Sequence, residues 1–285
     1  MNEIRSIYTL KQLSFLLGVP TEIIEMISVD SPKLYTPFDI PKNIFSVRTI
    51  DNPHRKLKAL QSKILTKILN TYQLPNQIMG GRKGIGIKDY LKVHTNQPEV
   101  VSLDIKNCFP STTHEQVHAV FREQFNCSRK VSSILTKLTT YRGRLPQGAP
   151  SSNMLLNIVL TPACKQIAVI CEAHNCRVSF WVDDITVSGL HPSILIQEII
   201  GVIQKNGYAV RANKIKVMKQ SQRQLVLNHV VNKKVSVSKS KYDEYVKRYF
   251  GSMRRDEIDG IINHLQYINP KQARRLKNWF IIRPT

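Results

Sequence analysis

The sequence is short of acidic residues. Only 20 of its 285 residues are Asp or Glu, against 42 Lys and Arg, so the formal net charge is +22. This imbalance excludes an ordinary surface of mixed charge and indicates a polyanionic partner, with nucleic acid as the first candidate. A membrane surface is the competing partner, but no basic amphipathic helix stands alone at a terminus. We therefore expect no membrane partner.

Cysteine is also scarce, and no hydrophobic run is long and uninterrupted. The five cysteines are odd in number and include no CxxC pair, so neither a disulfide framework nor a zinc site is expected, and a reducing cytoplasm is predicted. The longest apolar stretch, residues 154–171, contains a proline and several polar residues, which predicts a buried helix rather than a membrane span. Basic residues interrupt residues 4–19, so no signal peptide is expected.

Helical and strand-like hydrophobic patterns alternate along the chain. Helical spacing predicts two short helices in residues 1–30 and further helices at 54–70, 114–140, 153–173, 192–206 and 239–285. Strands are predicted within 31–50 around a turn at 41–43, at 100–105, around 178–188, and as a hairpin of 225–231 with 234–237. This mixed order with antiparallel hairpins predicts an α+β fold.

Two adjacent aspartates, Asp183 and Asp184, lie inside the apolar segment 178–188. Two neighbouring carboxylates are unfavourable to bury without a counter-charge, and a divalent metal is the usual one. Alternatively, the pair marks a hairpin turn, because Asp favours turns. Taken alone, the turn is the simpler interpretation.

A third acid, Asp104, lies in the apolar strand 100–105. If the two strands are neighbours in one sheet, three carboxylates converge and form the ligand set for two Mg²⁺ ions in a phosphoryl transfer. The helix that begins after Pro150 would point backbone amides at anions. The loop 80–86, which carries Arg82 and Lys83, either lays its amides against phosphate or is a plain flexible loop, and it is not a Walker or dinucleotide pattern.

With these residues in place, the sequence resembles bacterial reverse transcriptases of the retron and group II intron lineage, from about residue 35 to the C-terminus. Five segments match that family's motifs in order: LDIKNCFPS at 103–111, LPQGAPSS at 145–152, WVDD at 181–184 in place of a Tyr-x-Asp-Asp box, 207–214, and the hairpin 226–237. The resemblance implies an RNA-directed DNA polymerase with a right-hand α+β fold. It implies fingers and an antiparallel palm within residues 1–238, and a small, basic helical thumb in 239–285.

The resemblance also implies a role for individual residues at the reaction centre. Asp104, Asp183 and Asp184 are the expected catalytic and metal-binding carboxylates, and the backbone carbonyl of Ile105 is a further expected metal ligand. Phe109 takes the place of an aromatic gate that excludes a 2′-hydroxyl, with ordinary core packing as the alternative. The remaining expected nucleotide contacts are Gln147, Gly148, which allows close backbone approach, and the basic residues Lys42, Arg48 and Lys214.

The expected cofactors are two Mg²⁺ ions, for which Mn²⁺ can substitute. The expected partners are dNTPs, a non-coding RNA template with its RNA/DNA duplex, and a defence effector protein. Contacts to nucleic acid are expected from loop, strand and C-terminal residues, each of which could instead be an ordinary surface or core residue: Arg82, Lys83, His94, Trp181, Lys247, Arg248, Arg274, Arg275 and Lys277.

Three departures from the family pattern leave the subtype open. Only His94 remains of an Asn-Ala-x-x-His element, only Val226 remains of a Val-Thr-Gly element, and Trp181 replaces a tyrosine. A retron enzyme and another defence-associated reverse transcriptase both fit, with phage defence as the expected role. The functional alternatives are a polymerase-like RNA-binding scaffold without catalysis, and template-independent or protein-primed DNA synthesis. The three intact acids favour the templated enzyme over the scaffold.

Overall fold

Helices and antiparallel strands alternate in this computed structural model, which describes the backbone of residues 6–43, 46–250 and 253–282 and the side chains of residues 6–41, 47–248 and 253–278. The α-helices of this part of the chain are Leu10–Leu17 (α1), Thr21–Asp30 (α2), Arg55–Lys67 (α3), Ile87–Val93 (α4), Cys108–Ser111 (α5), His114–Ala119 (α6), Arg129–Thr139 (α7), Ser152–Val159 (α8), Thr161–Ala173 (α9), Ile196–Lys205 (α10), Lys239–Phe250 (α11), Arg255–Ile268 (α12) and Pro270–Ile282 (α13). The strands are Tyr35–Asn43 (β1), Ser46–Pro53 (β2), Glu99–Asp104 (β3), Arg177–Trp181 (β4), Asp184–Gly189 (β5), Lys216–Lys219 (β6), Leu225–Val226 (β7), His229–Val230 (β8) and Ser236–Val237 (β9). Short 3₁₀ turns lie at Ser31–Lys33, Leu69–Thr71, Pro192–Leu195 and Ala212–Lys214, and a π-helical turn lies at Val120–Gln124.

The two short N-terminal helices are confirmed, and the first has complete end signals. Thr9 and Gln12 form a capping box at the start of α1, which satisfies backbone donors that have no partner inside the helix. Gly18 ends α1 in the left-handed conformation, with a φ of 59°. The helix predicted at 54–70 is also confirmed as α3, and its apolar stripe is buried.

The main sheet has four antiparallel strands in the order β4-β5-β3-β6. β3 lies in the centre, and its apolar residues Val100, Val101 and Leu103 are buried because the core covers both faces of the strand. The edge strand β6 was not predicted, because four residues with two lysines carry little strand signal. The sheet confirms the predicted α+β class, since its strands pair antiparallel and the helices lie outside it.

The hairpin β1–β2 is confirmed, but its predicted turn is wrong. β1 continues through Asn43, so residues 41–43 belong to the strand, and the pairing register shifts between Pro41 and Asn43. A proline inside an edge hairpin is compatible with such a shift. The hairpin is joined to the rest of the protein by Asp51, whose amide donates to the Gln147 carbonyl at 2.7 Å.

The segment 225–231 was predicted as one strand and is instead two. Leu227 and Asn228 both have positive φ, 45° and 63°, so the chain reverses there and β7 pairs with β8. β9 completes a three-stranded sheet. Asn tolerates the left-handed region, but Leu does so rarely, which explains why the sequence did not reveal the turn.

The buried residues form two hydrophobic clusters. One joins the N-terminal helices and α3 with α7, α8, α9 and one side of the main sheet. In the other, Tyr245 and Leu265 of the C-terminal helices pack with Tyr90, Val100 and the small sheet. The C-terminal helices therefore share a core with the preceding chain, and the boundary at residue 238 stays a prediction.

Helices α8 and α9 form the apolar stretch that was predicted to be buried. Within the described residues, Ser152–Ala173 is long and apolar enough to cross a membrane, as is the bent α1–α2 segment if it is counted as one span. However, 61% of the most apolar window in Ser152–Ala173 is buried inside the protein, as expected for a core helix.

The helix predicted at 114–140 is interrupted, because Asn126 has a φ of 46° between the π-helical turn and α7.

Candidate active site

The three acids singled out in the sequence lie at the same end of the main sheet. Asp104, the last residue of β3, is the register partner of Asp184, the first residue of β5. Asp183 lies in the turn between β4 and β5, and its carbonyl accepts a hydrogen bond from the amide of Ile105 at 2.8 Å. The pair therefore lies at a hairpin turn, with Asp183 in the turn and Asp184 opening β5, and it also meets a third carboxylate. Metal binding by the pair stays a prediction.

The turn between β4 and β5 is tight and is supported from behind by the loop before α4. Val182 has a φ of 60°, which is unusual for a β-branched residue. The amides of Met79 and Gly80 both donate to the Phe180 carbonyl. A Cβ atom on Gly80 would lie 2.6 Å from the Val182 nitrogen, so only glycine permits this approach.

Burial and the neighbouring carboxylates disfavour the charged forms of Asp183 and Asp184. Burial raises the pKa of Asp183, and the charge of Asp104 raises it further, whereas Arg48 and Lys214 oppose this. Burial, followed by the charges of Asp183 and Asp104, raises the pKa of Asp184 to about 7. A cation placed among these groups would relieve both effects.

Two basic side chains from the segment after α10 lie against Asp104. The Lys214 Nζ is 2.8 Å from Asp104 Oδ2, and the Arg211 Nε is 3.0 Å from Asp104 Oδ1. The contact between Arg211 and Asp104 is an ion pair without hydrogen-bond geometry. Asp104 Oδ1 is also buried, and it accepts no hydrogen bond from the described residues. The backbone reinforces the arrangement, because the Arg211 amide donates to the Asp104 carbonyl at 2.9 Å.

The fit of these residues to divalent ions rests on this unsatisfied oxygen and on the raised carboxylate pKa values. Oxygen ligands are those that Mg²⁺ prefers, and Mg²⁺ usually takes only one or two protein carboxylates and keeps water or phosphate as its other ligands. Among the described residues, no three His, Cys, Asp or Glu side chains are arranged so that they could hold a metal ion by themselves. The carboxylates would therefore hold a divalent ion together with further oxygen ligands, such as water or phosphate.

A cavity of about 690 Å³ lies over the three carboxylates. It is large enough for a nucleotide-sized ligand. Its wall brings together residues of β2, the three acids, the Arg211–Lys214 segment and the β7–β8 turn. Those that bear on the chemistry are Arg48, Asp51, Asp104, Phe109, Gln147, Asp183, Asp184, Arg211, Lys214, Lys216, Leu227 and Asn228.

The structure places the predicted nucleotide contacts around this cavity to different degrees. Arg48, Phe109, Gln147 and Lys214 line it. Gly148 lies behind Gln147 with a φ of 124°, and a Cβ atom there would stand 3.0 Å from the Asp51 carbonyl oxygen. Its role is therefore to let the Gln147 loop pack against β2. Ile105 is fully buried and is not among the residues that line the cavity, so metal binding by its carbonyl stays a prediction. Lys42 has a side chain outside the described residues.

The prediction that His94 contacts nucleic acid is wrong. Its side chain is 0% exposed, and its two ring nitrogens lie 2.7 Å from Ser188 Oγ and 2.5 Å from Ser179 Oγ. Burial, with the nearby charge of Arg177, lowers the pKa of His94 to about 3. His94 therefore links α4 to the main sheet as a neutral polar core residue.

The other predicted nucleic-acid contacts differ in their exposure. The Arg82 guanidinium donates to the carbonyls of Pro75 and Ile78, so it also holds its own loop, whereas Lys83 is exposed. Trp181 is half-buried and lies against Tyr90, with ring centroids 5.5 Å apart. The predicted contacts on the C-terminal helices are all exposed: Lys247, Arg248, Arg274, Arg275 and Lys277. Of these, Arg248 forms an ion pair with Glu257.

Sequence reasoning missed two residues of this site. Arg211 lies three residues before Lys214, a spacing that could have indicated a second cation on the same short turn. Asp51 is buried, and its carboxylate accepts a hydrogen bond from the Gln147 amide at 3.2 Å. Its own amide donates to the Gln147 carbonyl. Nothing in the sequence around Asp51 distinguishes it from a surface acid, because its partner lies 96 positions away.

Comparison with known proteins agrees with this geometry. Residues 40–241 match the family model described as reverse transcriptase (RNA-dependent DNA polymerase). Because the match covers more than half of the chain, the protein belongs to the reverse transcriptase family and has a polymerase fold. It is an RNA-directed DNA polymerase, an enzyme class that generally uses divalent metal ions.

The similar curated proteins are retron reverse transcriptases, as the sequence motifs suggested. The Mx65 enzyme of Myxococcus xanthus is 26% identical, over 91% of this chain and 68% of its own length. The Ec86 enzyme of Escherichia coli is 27% identical, over 81% of this chain and 74% of its own. The Se72 enzyme of Salmonella heidelberg is 30% identical, over 63% of this chain and 48% of its own.

Proposed function

We propose that Asp104, Asp183 and Asp184 are the catalytic carboxylates of a retron-type reverse transcriptase and hold two Mg²⁺ ions, for which Mn²⁺ can substitute. The observation that carries the proposal is the β3–β5 register, which sets Asp104 opposite Asp184 at the floor of the large cavity. The raised pKa values of Asp183 and Asp184 support it, because burial, followed by repulsion from neighbouring carboxylates, disfavours their charged forms and a bound cation would offset both effects. When bound, the ions supply charge neutralisation for in-line phosphoryl transfer.

The basic residues around the cavity bind the triphosphate. Arg48 lines the cavity from β2, and Arg211 and Lys214 line it from the segment after α10. Arg211 and Lys214 pair with Asp104 in this structure. A triphosphate offers these cations stronger anionic partners, so we expect them to move from the carboxylate to the phosphates as the substrate binds. This exchange frees Asp104 for its role as a ligand.

Phe109, Gln147 and Gly148 select and position the nucleotide. The Phe109 ring lines the same cavity as Asp104, and its proposed role is to exclude a 2′-hydroxyl, which favours dNTPs over ribonucleotides. Gln147 contacts the incoming base pair from a loop that is fixed to β2 by the two Asp51 hydrogen bonds. Gly148 permits that loop to lie close to β2.

The parts of the fold correspond to those of a right-hand polymerase. The hairpin β1–β2 belongs to the fingers, the main sheet forms the palm, and helices α11–α13 of residues 239–285 form the thumb. The basic residues of the thumb hold a template–primer duplex by its phosphates, since helix α13 exposes four basic residues without an intervening acid: Lys271, Arg274, Arg275 and Lys277.

The template is a dedicated non-coding RNA, and the biological role is defence against phage. The similarity to retron reverse transcriptases supports both, and the net charge of +22 supports a large RNA partner. A phage-plating assay with the intact gene and with a gene encoding Asp183→Asn tests the role, because defence that depends on DNA synthesis is lost with the carboxylate.

The decisive experiment is dNTP incorporation on a primed RNA template with Mg²⁺. Asp183→Asn keeps the shape of the side chain and removes its charge, so we expect activity to fall by about 100-fold or more. Asp243→Asn, on exposed helix α11, is the matched control and should act like the wild type. Equal activity of Asp183→Asn and wild type would refute the assignment. Bound RNA without any nucleotide addition by the wild type would favour the scaffold alternative.

A further inference from the structure

Two histidines face each other where the small sheet meets the C-terminal helices. The Nε2 atoms of His229 on β8 and His264 on α12 are 3.4 Å apart. Their rings are 5.5 Å apart between centroids and are inclined by 57°. The pair is not among the residues that line the cavity over the three aspartates.

The tautomer of His229 is fixed by a backbone contact. Its Nδ1 lies 2.7 Å from the carbonyl oxygen of Leu227. A carbonyl can only accept, so Nδ1 must carry the proton and, in the neutral ring, Nε2 must carry the lone pair. A backbone carbonyl that orients one ring nitrogen while the other faces a partner is the usual outer contact of a metal-binding histidine.

The separation of the two Nε2 atoms fits both a hydrogen bond and a chelating pair. In this structure they are within hydrogen-bonding distance, and His264 Nε2 is the donor because His229 Nε2 carries the lone pair. Two nitrogens at about 2.0–2.1 Å from one tetrahedral zinc ion are about 3.3–3.4 Å apart. A metal ion can therefore replace this hydrogen bond with little movement of either ring, once the His264 proton moves to the other ring nitrogen.

The surroundings of the pair keep both rings in the form that binds metals. Burial lowers the pKa of His229 and that of His264 below the ordinary histidine value. Burial therefore favours the neutral form of both imidazoles, which is the form that coordinates a metal. His229 is buried, whereas His264 is half-buried and leaves a side open through which water can reach a bound ion.

We propose that His229 and His264 form a two-histidine site for a divalent transition-metal ion of the Zn²⁺ class, with water completing the shell. Such an ion joins β8 to α12. It also stiffens the turn at Leu227–Asn228, because the Leu227 carbonyl accepts a hydrogen bond from His229. Both turn residues line the active-site cavity, so the ion would also affect that wall of the cavity. The proposal does not depend on the assignment of the catalytic carboxylates.

A second histidine pair provides the matched control. His114 and His118 lie four residues apart on α6 and line another cavity. Two acids and two arginines line the same cavity, Glu115, Glu123, Arg122 and Arg129. Among the described residues, no three of these His and Glu side chains are arranged so that they could hold a metal ion. Removal of His118 should therefore leave the binding of a transition metal unchanged.

The test is calorimetric titration of Zn²⁺ into the untagged, chelator-treated chain in the presence of excess Mg²⁺, which occupies carboxylate sites but competes poorly for imidazole. The wild type and His118→Gln should bind one Zn²⁺ ion with similar affinity. His264→Gln and His229→Gln should weaken binding by about 10-fold or more, since even the loss of an outer-shell contact costs about 10–100-fold. Wild-type protein that binds no Zn²⁺, or His264→Gln protein that binds it as tightly as wild type, would overturn the proposal.

Two further readouts make the outcome independent of folding. His264 is half-buried, so His264→Gln should keep the wild-type circular dichroism spectrum and decides the matter even if His229→Gln unfolds. Zn²⁺ should slow amide hydrogen exchange in residues 227–230 of the wild type and of His118→Gln, but not of His264→Gln. Equal protection in all three proteins would show that Zn²⁺ acts elsewhere and would also overturn the proposal.

Discussion

The buried His94 should make the stability of this protein fall in mild acid. The pKa of His94 is lowered from its ordinary value near 6.5 to about 3 because the ring is buried between α4 and the main sheet. Between these two values the unfolded chain binds a proton that the folded protein does not. Stability is therefore complete above about pH 6.5 and is lost progressively as the pH falls towards 3.

The size of the effect depends on the unfolded pKa and hardly on the folded one. With 6.5 for the unfolded chain and any folded value below about 4, a single histidine removes about 2 kcal/mol of stability between pH 7.5 and pH 5. This is a substantial part of the roughly 5–15 kcal/mol that stabilises a typical folded protein.

The assay is urea denaturation of wild type and His94→Gln at about pH 7.5 and about pH 5. Gln keeps a polar group for one of the two serines but cannot titrate. We expect His94→Gln to be less stable at the higher pH, because one serine hydroxyl loses its partner at a cost of about 1–3 kcal/mol. The pH-dependent loss in wild type should exceed that in the variant by about 2 kcal/mol. The same pH dependence in both proteins would refute the reasoning.

Three further predictions concern the nucleotide loop, the sugar selectivity and the C-terminal helices. Gly148→Ala puts a methyl group 2.9–3.0 Å from atoms of β2 at a φ of 124° and should lower the free energy of unfolding by about 2–4 kcal/mol. Gly143→Ala, at a φ of 74° in open space, should cost only about 1–2 kcal/mol, and equal losses would contradict the packing argument. Phe109→Ala should raise kcat/KM for ribonucleotides relative to dNTPs, and an unchanged ratio in primer extension would exclude a gate. Lys277→Ala should reduce the slope of log affinity for duplex against log salt by about 1, whereas Lys130→Ala, which removes an ion pair with Glu25 on α2, should leave it unchanged.

The secondary structure that the sequence predicted best is that with strong periodicity or complete end signals. The apolar faces of α1, α2 and α3 repeat every three or four residues, and α1 has both end signals, with Thr9 and Gly18 as its caps. Strand β6 and the turn at Leu227–Asn228 were missed because they depend on their neighbours. β6 forms because β3 presents an open edge, and Leu227 occupies a positive φ because β7 and β8 pair across it.

The sequence by itself determined the kind of protein and its reactive groups. The adjacent pair Asp183–Asp184, the single Asp104, the LPQG loop and the excess of positive charge are local or compositional features, and they are visible in one dimension. They led to a nucleic-acid polymerase without any coordinates, and to the reverse transcriptase family in particular.

Only the tertiary structure decided which residues meet. The β3–β5 register brings Asp104 to Asp184, and the segment after α10 returns to lay Arg211 against the same carboxylate. The tertiary structure also removed His94 from the nucleic-acid surface and set His229 opposite His264. The physical reason is that charge pairing, burial and metal-ligand spacing depend on distances across the fold, and the order of residues along the chain does not fix these distances.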